Sequence, residues 1–593
     1  MYRLCEPWRH NADETPQRAI RPVGVAGNRL GKGVAFFQVV AVDLDGTLTS
    51  RDELSVEALD AIDQVRRNGV VVILVTGRIA AELEAAYPRI ADHFDALVLE
   101  NGAVVVIDEM TTALSAPVDA ALGDALAERA LPHRRGRVLV AIDGEHAATV
   151  LEVIGELGLD CQIVRNRMAL MVLPAGVTKG TGLGAVLAEL NLSAHNTIAV
   201  GDAENDLSLF GMAEIGAAVA DAVPSVREHA DLVLEAPDGA GIADLLAGPY
   251  LSGARRWCPP RRWIDIGTFD DDTPTRIPGS QARILVTGPA GSGKSYLVGL
   301  MAERWILAGY CVLVIDPEGD HVQLQQLSHV QVLDTPQHLP EPTELVNTLL
   351  HPSTRIVLDM SGVAEADKID YLHRLRSTVE AHRERHGLPH WVIYDEAHLL
   401  GTDRVPRWTR RGGYVFSSFA PAALPAEEID STDVVLELTH GETPGGVAPK
   451  TIQRATLRFG SEPARRFTVA DRRTTHVRHR HKYADVSLAN ERRFYFRPVD
   501  GQYIAPAATM HDFRAAIRHL DPQALHYHLE RGDFSRWLEN TIADKDFAAH
   551  VAAWEDELQA HQAADLERIR HRLAQAVEDK VSRYTRPRLR FCT

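Results

Sequence analysis

The sequence predicts a multidomain α/β protein, and three observations carry that reading. Short apolar runs such as Val39 to Val42, Val70 to Val75 and Thr197 to Val200 alternate with stretches of helical spacing, which is the pattern of a parallel sheet crossed by helices. Several of these runs end in carboxylates, a hydroxyl or glycines, at the carboxyl end of a strand where α/β folds bind ligands. From residue 545 to 585 the alternation is lost, and Phe547, Val551, Trp554, Leu558 and Leu566 follow helical spacing.

The chain has 593 residues, which suggests three or four domains. A hydrophobic content of 45% and a charged content of 24% are those of ordinary globular material. The net charge of -18 argues against a general nucleic-acid or membrane binder and leaves room for a local basic site. Cys5, Cys161, Cys258, Cys311 and Cys592 are scattered without C-x-x-C pairing, which predicts a reducing compartment, hence a cytoplasmic protein, and no zinc ribbon. No apolar run has the length of a membrane span. Residues 1–35 lack the apolar segment of a secretory signal and read as a poorly ordered extension.

The first domain is expected over 36–247. Its first strand runs into Asp43-Leu44-Asp45-Gly46-Thr47-Leu48-Thr49. In extended chain Asp43 and Asp45 point to the same side, and two carboxylates held together call for a hard cation such as magnesium. A helix is predicted over 55–68 from Val56, Leu59, Ile62 and Val65. The next strand ends in Thr76-Gly77-Arg78, where a hydroxyl and backbone N–H groups suit a phosphate oxygen. Glu100-Asn101-Gly102-Ala103 carries an Asn-Gly turn signal and reads as a hairpin. Strands over 138–142 and 168–173 with a helix over 147–157 predict a small α/β cap at about 108–175. Lys179 opens a helix with Leu183, Val186, Leu187 and Leu190 on one face, and a further strand ends in Gly201-Asp202-Ala203-Glu204-Asn205-Asp206.

Taken in order, DLDGT, the Thr76 strand end, ENGA, Lys179 and GDAEND resemble the signatures of the haloacid dehalogenase (HAD) superfamily of phosphatases, in its Cof-like branch. The resemblance covers roughly a third of the chain. It implies a HAD Rossmann-like parallel sheet with an inserted α/β cap. It implies Asp43 as nucleophile, Asp45 as general acid/base, Thr76 and Lys179 as phosphate-binding groups, and magnesium held by Asp43, Asp45, Asp202 and Asp206. Asp206 could equally be the partner of Lys179. The substrate implied is a small phosphomonoester, in this branch often a sugar phosphate.

Residues 248–280 are rich in Pro, Arg, Trp and Asp without clean periodicity and read as a linker with docking aromatics, Trp257 and Trp263. A second α/β domain is expected over 281–475. Arg283 to Thr287 forms a strand, Gly288-Pro289-Ala290-Gly291-Ser292-Gly293-Lys294-Ser295 follows, and a helix with Leu297, Leu300, Met301 and Trp305 comes next. This is the strand–GxxxxGK[ST]–helix pattern of a P-loop NTPase: Gly288, Gly291 and Gly293 let backbone N–H groups surround ATP phosphates, Lys294 reaches the β/γ-phosphates and Ser295 binds magnesium. Trp391 to Tyr394 followed by Asp395-Glu396 reads as a Walker B site, with Asp395 toward magnesium and Glu396 toward the attacking water. DPEGD at 316–320 together with DEAH at 395–398 resembles the ATPase core of the HerA/FtsK-like group. That implies a homo-oligomer, in this group often a hexamer, and often a nucleic-acid motor. Two features depart from that group: Ser418-Phe419 stands where a polar sensor is usual, and no segment accommodates extra DNA-tracking domains. Arg410 and Arg411 read either as an arginine finger or as surface arginines.

The remainder, 476–593, reads as a basic, His-rich connector (His476 to Tyr483), a short strand at Phe494-Tyr495-Phe496, and a mainly α-helical C-terminal domain that resembles a small helical domain of unknown function. The leading expectation is a phosphatase regulated or assembled by an ATPase. The alternative is an ATP-driven nucleic-acid processing protein with an accessory phosphatase, which the acidic charge disfavours.

Overall fold

The structure is a computed structural model. It describes residues 36–51, 53–166, 169–289, 292–334, 339–400, 412–424, 429–439, 454–475, 493–497, 504–542, 545–560 and 566–585. Two compact units are present, the first made of the chain up to Arg255 together with Glu384–Gly387 and the second of the rest from Arg256 on.

In the first unit the chain enters as β1 (Val39–Asp43), whose residues are all buried. A short ribbon of β2 (Thr49–Ser50) and β3 (Glu53–Leu54) follows. Ser55 caps the helix Val56–Arg67, its hydroxyl accepting from Ala58 N at 3.2 Å. The buried face of that helix is Ala58, Ile62 and Val65, while Val56 is 72% exposed. The apolar stripe therefore starts two residues later than the sequence spacing suggested, because a 3.6-residue turn carries Val56 off the core side.

Next come β4 (Val71–Val75), β5 (Ala96–Leu99), β6 (Val104–Ile107) and β7 (Met110–Ala113). The cap strands are β8 (His133–Arg135), β9 (Val140–Asp143), β10 (Cys161–Asn166) and β11 (Ala169–Pro174). The chain then returns through β12 (Thr197–Gly201), β13 (Ile215–Ala218) and β14 (Leu232–Val233). The main sheet has the order β14-β13-β12-β1-β4-β5-β6-β7. It is parallel from β14 to β5, so Asp43, Thr76 and Asp202 all emerge at one edge. Residues 110–113, expected inside the cap, instead extend this sheet as β7. The turn at 100–102 does close a hairpin, β5 pairing antiparallel with β6. The cap is a separate antiparallel sheet, β10-β11-β9-β8. Leu122, Leu126, Val150 and Val153 of its two helices, Ala120–Glu128 and Ala147–Leu157, pack with Val140, Ile142, Leu170 and Val172 of that sheet.

The second unit is built on one sheet of strands β15 (Ile264–Phe269), β16 (Pro274–Ile277), β17 (Arg283–Thr287), β18 (Val312–Asp316), β19 (Val330–Asp334), β20 (Arg355–Asp359), β21 (Trp391–Tyr394), β22 (Tyr414–Ser418), β23 (Val434–Leu438), β24 (Arg454–Phe459) and β25 (Arg465–Val469). Their order is β16-β15-β25-β24-β23-β17-β22-β21-β18-β20-β19. The strands from β23 to β19 are parallel, and the others add an antiparallel flank. This corrects the reading of 248–280 as linker: residues 264–277 are a hairpin whose Ile264, Ile266 and Ile277 join the core. Its other face is solvated and carries Asp265 and Arg276, so alternation hid among charges.

Helices Met510–His519, Pro522–Glu530, Asp533–Asn540, Lys545–Ala560 and Leu566–Thr585 bury Phe513, Ile517, Leu525, Phe534, Val551, Ile569 and Leu573 together. The expected strand at Phe494 is a single bridge to Ala507. Residues 1–35, Arg410, Arg411 and the His-rich connector lie outside the described residues. Among the described residues no helix is long and apolar enough to cross a membrane.

Candidate active site

Asp43 ends β1 and is 3% exposed. The chain must reverse immediately after Asp45. Gly46 makes this turn at φ 84°, in the left-handed region that costs a side chain, and the N–H groups of Leu48 and Thr49 then donate to Leu44 O at 2.9 and 3.0 Å. Lys179 lies 136 residues away at the start of the helix Lys179–Glu189, capped by Thr178. Its Nζ donates to Asp43 Oδ1 and to Asp206 Oδ1, both at 2.6 Å. The second oxygen of Asp206 accepts from Asp202 N at 3.0 Å and Ala203 N at 3.1 Å. Both oxygens of Asp206 are therefore engaged, which favours its role as the partner of Lys179. Thr47 Oγ1 donates to Asp202 Oδ1 at 3.3 Å.

Asp43, Asp202 and Asp206 each bring a carboxylate oxygen within 4.8 Å of the others, and all three are buried. Burial pushes the Asp43 carboxyl well above the usual range. Asp206, Asp202 and Asp45 push it the same way, and Lys179 opposes them. Three buried carboxylates gather around the Lys179 ammonium, so negative charge is in excess within the cluster, and holding like charges together away from water is costly. The donor set, hard and anionic, fits a divalent cation such as magnesium.

Asp45 stands apart from this group, contrary to its expected place as a metal ligand. Arg78 Nε lies 3.0 Å from each of its oxygens, and the guanidinium sits 5.2 Å from the centre of the Tyr87 ring. The bidentate geometry fixes the carboxylate in one orientation. Arg78 follows Thr76, which is fully buried and whose Oγ1 accepts from Arg78 N at 3.2 Å. The Glu100–Gly102 turn ties these loops together. Glu100 N donates to Arg78 O at 3.1 Å, Asn101 N to Thr76 O at 3.0 Å, and Asn205 Nδ2 to Asn101 Oδ1 at 3.2 Å. Arg78 was legible only as the residue after a Thr-Gly strand end, and Asn101 only as a turn residue.

In the second unit Gly288, with φ 149°, follows β17, and Gly293, with φ 99°, precedes the helix Lys294–Leu307. Gly291 lies outside the described residues. Lys294 Nζ donates to Pro289 O of its own loop at 3.1 Å. Ser295 occupies the first turn of that helix. β22 lies between β17 and β21, so Ser418 separates the glycine loop from Asp395 and Glu396 along the same sheet edge. Asp395 and Glu396 are 3% and 5% exposed. Sequence reading missed His321, which is fully buried and whose Nε2 lies 2.9 Å from Asp395 Oδ2. Asp316 shapes the loop that delivers it, accepting from the N–H groups of Gly319, Asp320 and His321 at 2.8, 3.0 and 2.8 Å. Burial pushes the Asp316 carboxyl up to about 7, with His321 opposing. DPEGDH carried that signal, a carboxylate five residues before a histidine, without saying where the ring would point.

The family profile of the haloacid dehalogenase-like hydrolases matches residues 40–127 and 136–246, and that of the central domain of helicase HerA matches residues 264–389. Over 227 residues the chain is 32% identical to a phosphoglycolate phosphatase of Archaeoglobus fulgidus, spanning 35% of this chain and 95% of the relative. A phosphoglycolate phosphatase of Methanothermobacter thermautotrophicus is 32% identical over 223 residues, 35% of this chain and 96% of its own. Phosphoglycolate phosphatase 2 of Saccharolobus solfataricus is 40% identical over 111 residues, 19% of this chain and 46% of its own. The chain belongs to the haloacid dehalogenase-like hydrolases, as a phosphoric monoester hydrolase fused to a HerA-type, P-loop ATPase-like domain.

Proposed function

We propose that the first unit hydrolyses a small phosphomonoester through an aspartyl-phosphate on Asp43. The observation that carries this is the buried Asp43 carboxylate, held 2.6 Å from Lys179 and beside Asp202 and Asp206. An Asp43 oxygen attacks phosphorus as the bond to the leaving oxygen breaks, and the Asp45 carboxyl gives its proton to that oxygen. Asp45 then takes a proton from water, which attacks phosphorus and frees Asp43 and inorganic phosphate. Lys179 and Thr76 offset charge on the phosphoryl oxygens. Magnesium, when bound by Asp43 and Asp202, supplies further neutralisation of the same charge. The phosphoglycolate phosphatases among its relatives make a phosphorylated small acid a better first substrate than a sugar phosphate.

In the same reading the second unit binds ATP through Gly288, Gly293, Lys294 and Ser295, with Asp395 and Glu396 serving magnesium and water, and it regulates or assembles the phosphatase in a homo-oligomer. The match to a HerA central domain favours a second reading, in which ATP turnover acts on nucleic acid and the phosphatase is accessory. Magnesium-dependent phosphate release from phosphoglycolate, sugar phosphates, nucleotides and phosphorylated nucleic-acid ends separates them. Asp43→Asn is expected to abolish release while ATP binding persists, and Lys294→Ala to abolish ATP turnover. Equal release by Asp43→Asn and the parent would remove Asp43 as nucleophile. ATP turnover that rises with DNA or RNA would support the second reading.

A further inference from the structure

One face of the cap sheet takes no part in the cap's own core. Along β11, Leu170 and Val172 point into that core, so alternation turns Met171 the other way. Register carries this opposite face across the sheet. Met171 pairs with Val164 of β10 and with Ala141 of β9, and Ala141 pairs with Arg134 of β8. Arg134 Nη1 reaches Glu82 Oε1 on the core helix Ala80–Ala86 at 3.0 Å, so the face looks onto the main sheet's functional edge. Met171 arrives at that edge. Its Sδ and Cε lie 3.0 and 3.2 Å from where a Cβ on Gly77 would stand, and it is 3% exposed. Gly77 separates Thr76 from Arg78, the holder of Asp45. The thioether therefore roofs the loop beside which the leaving group must lie.

The roof is held at a set height. Glu100, 1% exposed, accepts from the backbone N–H groups of Arg137, Val138 and Leu139 at 2.7, 2.8 and 3.0 Å, immediately before β9. The approach is so close that a Cβ on Gly136 would lie 2.5 Å from the Glu100 carboxylate. With Arg134–Glu82, these bonds join cap and core on the side of the cleft that holds Arg78.

We propose that Met171 is a size filter, which admits small phosphate esters and excludes hexose phosphates. The proposal rests on the phosphatase reading of the Asp43 cluster and narrows its substrate class.

The test measures kcat/KM of the full chain, in magnesium, for phosphoglycolate and for glucose 6-phosphate. The parent is compared with Met171→Ala, Met171→Leu and Asp43→Asn. The parent is expected to favour phosphoglycolate by about a hundredfold or more. Met171→Ala is expected to raise glucose 6-phosphate turnover by about tenfold or more while changing phosphoglycolate turnover only a few-fold. Met171→Leu, which nearly conserves volume, keeps the parent's preference. Comparable parent rates on both esters would overturn the filter, and that comparison stands even if Met171→Ala fails to fold. An unchanged ratio in a folded Met171→Ala would overturn it too. Release that persists in Asp43→Asn, or no release from either ester, would instead strike the phosphatase reading, and the filter with it.

Discussion

Replacing Lys179 by Met removes the one ammonium set among Asp43, Asp202 and Asp206, while keeping most of its apolar stem. The lysine is 1% exposed and its two contacts are each 2.6 Å long. At an effective dielectric of about 20, a unit charge pair at 4 Å is worth about 4 kcal/mol. Taking one partner from a buried pair costs about 3–5 kcal/mol, because the other charge stays behind. In the proposed mechanism the same group offsets charge on the phosphoryl oxygens, where losing one such stabilising contact costs about 10²–10³ in kcat. The pH profile adds a test of sign. Asp43 must be ionised to attack, so activity falls as pH drops through its pKa. Burial and the neighbouring carboxylates raise that pKa, and Lys179 is the group that lowers it. Lys179→Met removes that lowering influence, so the acid limb moves to higher pH. Phosphate release from phosphoglycolate, followed across pH at saturating magnesium, reads both effects. A variant within about threefold of the parent in kcat, with an unmoved acid limb, would refute the assigned electrostatics.

Arg78→Met frees Asp45 from its bidentate partner. Turnover of alkyl esters should fall by about tenfold or more, while p-nitrophenyl phosphate, whose leaving group needs no proton, should be nearly spared; equal losses on both would argue against Arg78 as the group that orients the acid. His321→Asn withdraws the imidazole from Asp395, and ATP turnover should drop by about tenfold or more with nucleotide affinity retained; unchanged turnover would make the contact structural. Chelation should silence phosphate release and magnesium should restore it; activity that survives exhaustive chelation would contradict the charge argument for Asp43, Asp202 and Asp206.

Much of the site was legible because its chemistry is local. Asp43 and Asp45 share one strand end, Asp202 and Asp206 share one turn, and Gly288 to Ser295 form one loop. The polar residues that connect these loops were not. Glu100 reads as a turn acid, yet it accepts three N–H groups from residues 37, 38 and 39 positions on. Residues 264–277 read as linker because the strands of this half-solvated hairpin are short, Asp265 and Arg276 interrupt their apolar residues, and Asp270, Asp271 and Asp272 crowd the turn between them.

By itself, the sequence determined the α/β class, the order of the motif-bearing loops and which side chains make up the candidate site, since strand periodicity and contiguous motifs are short-range properties of the chain. Only the tertiary structure decided that Asp206 serves Lys179, that Asp45 belongs to Arg78, that His321 meets Asp395 across 74 residues and that Met171 rests on Gly77. Each of these depends on strand order, register and cap placement. Those are set by the packing of residues distant in sequence, and no local pattern encodes them.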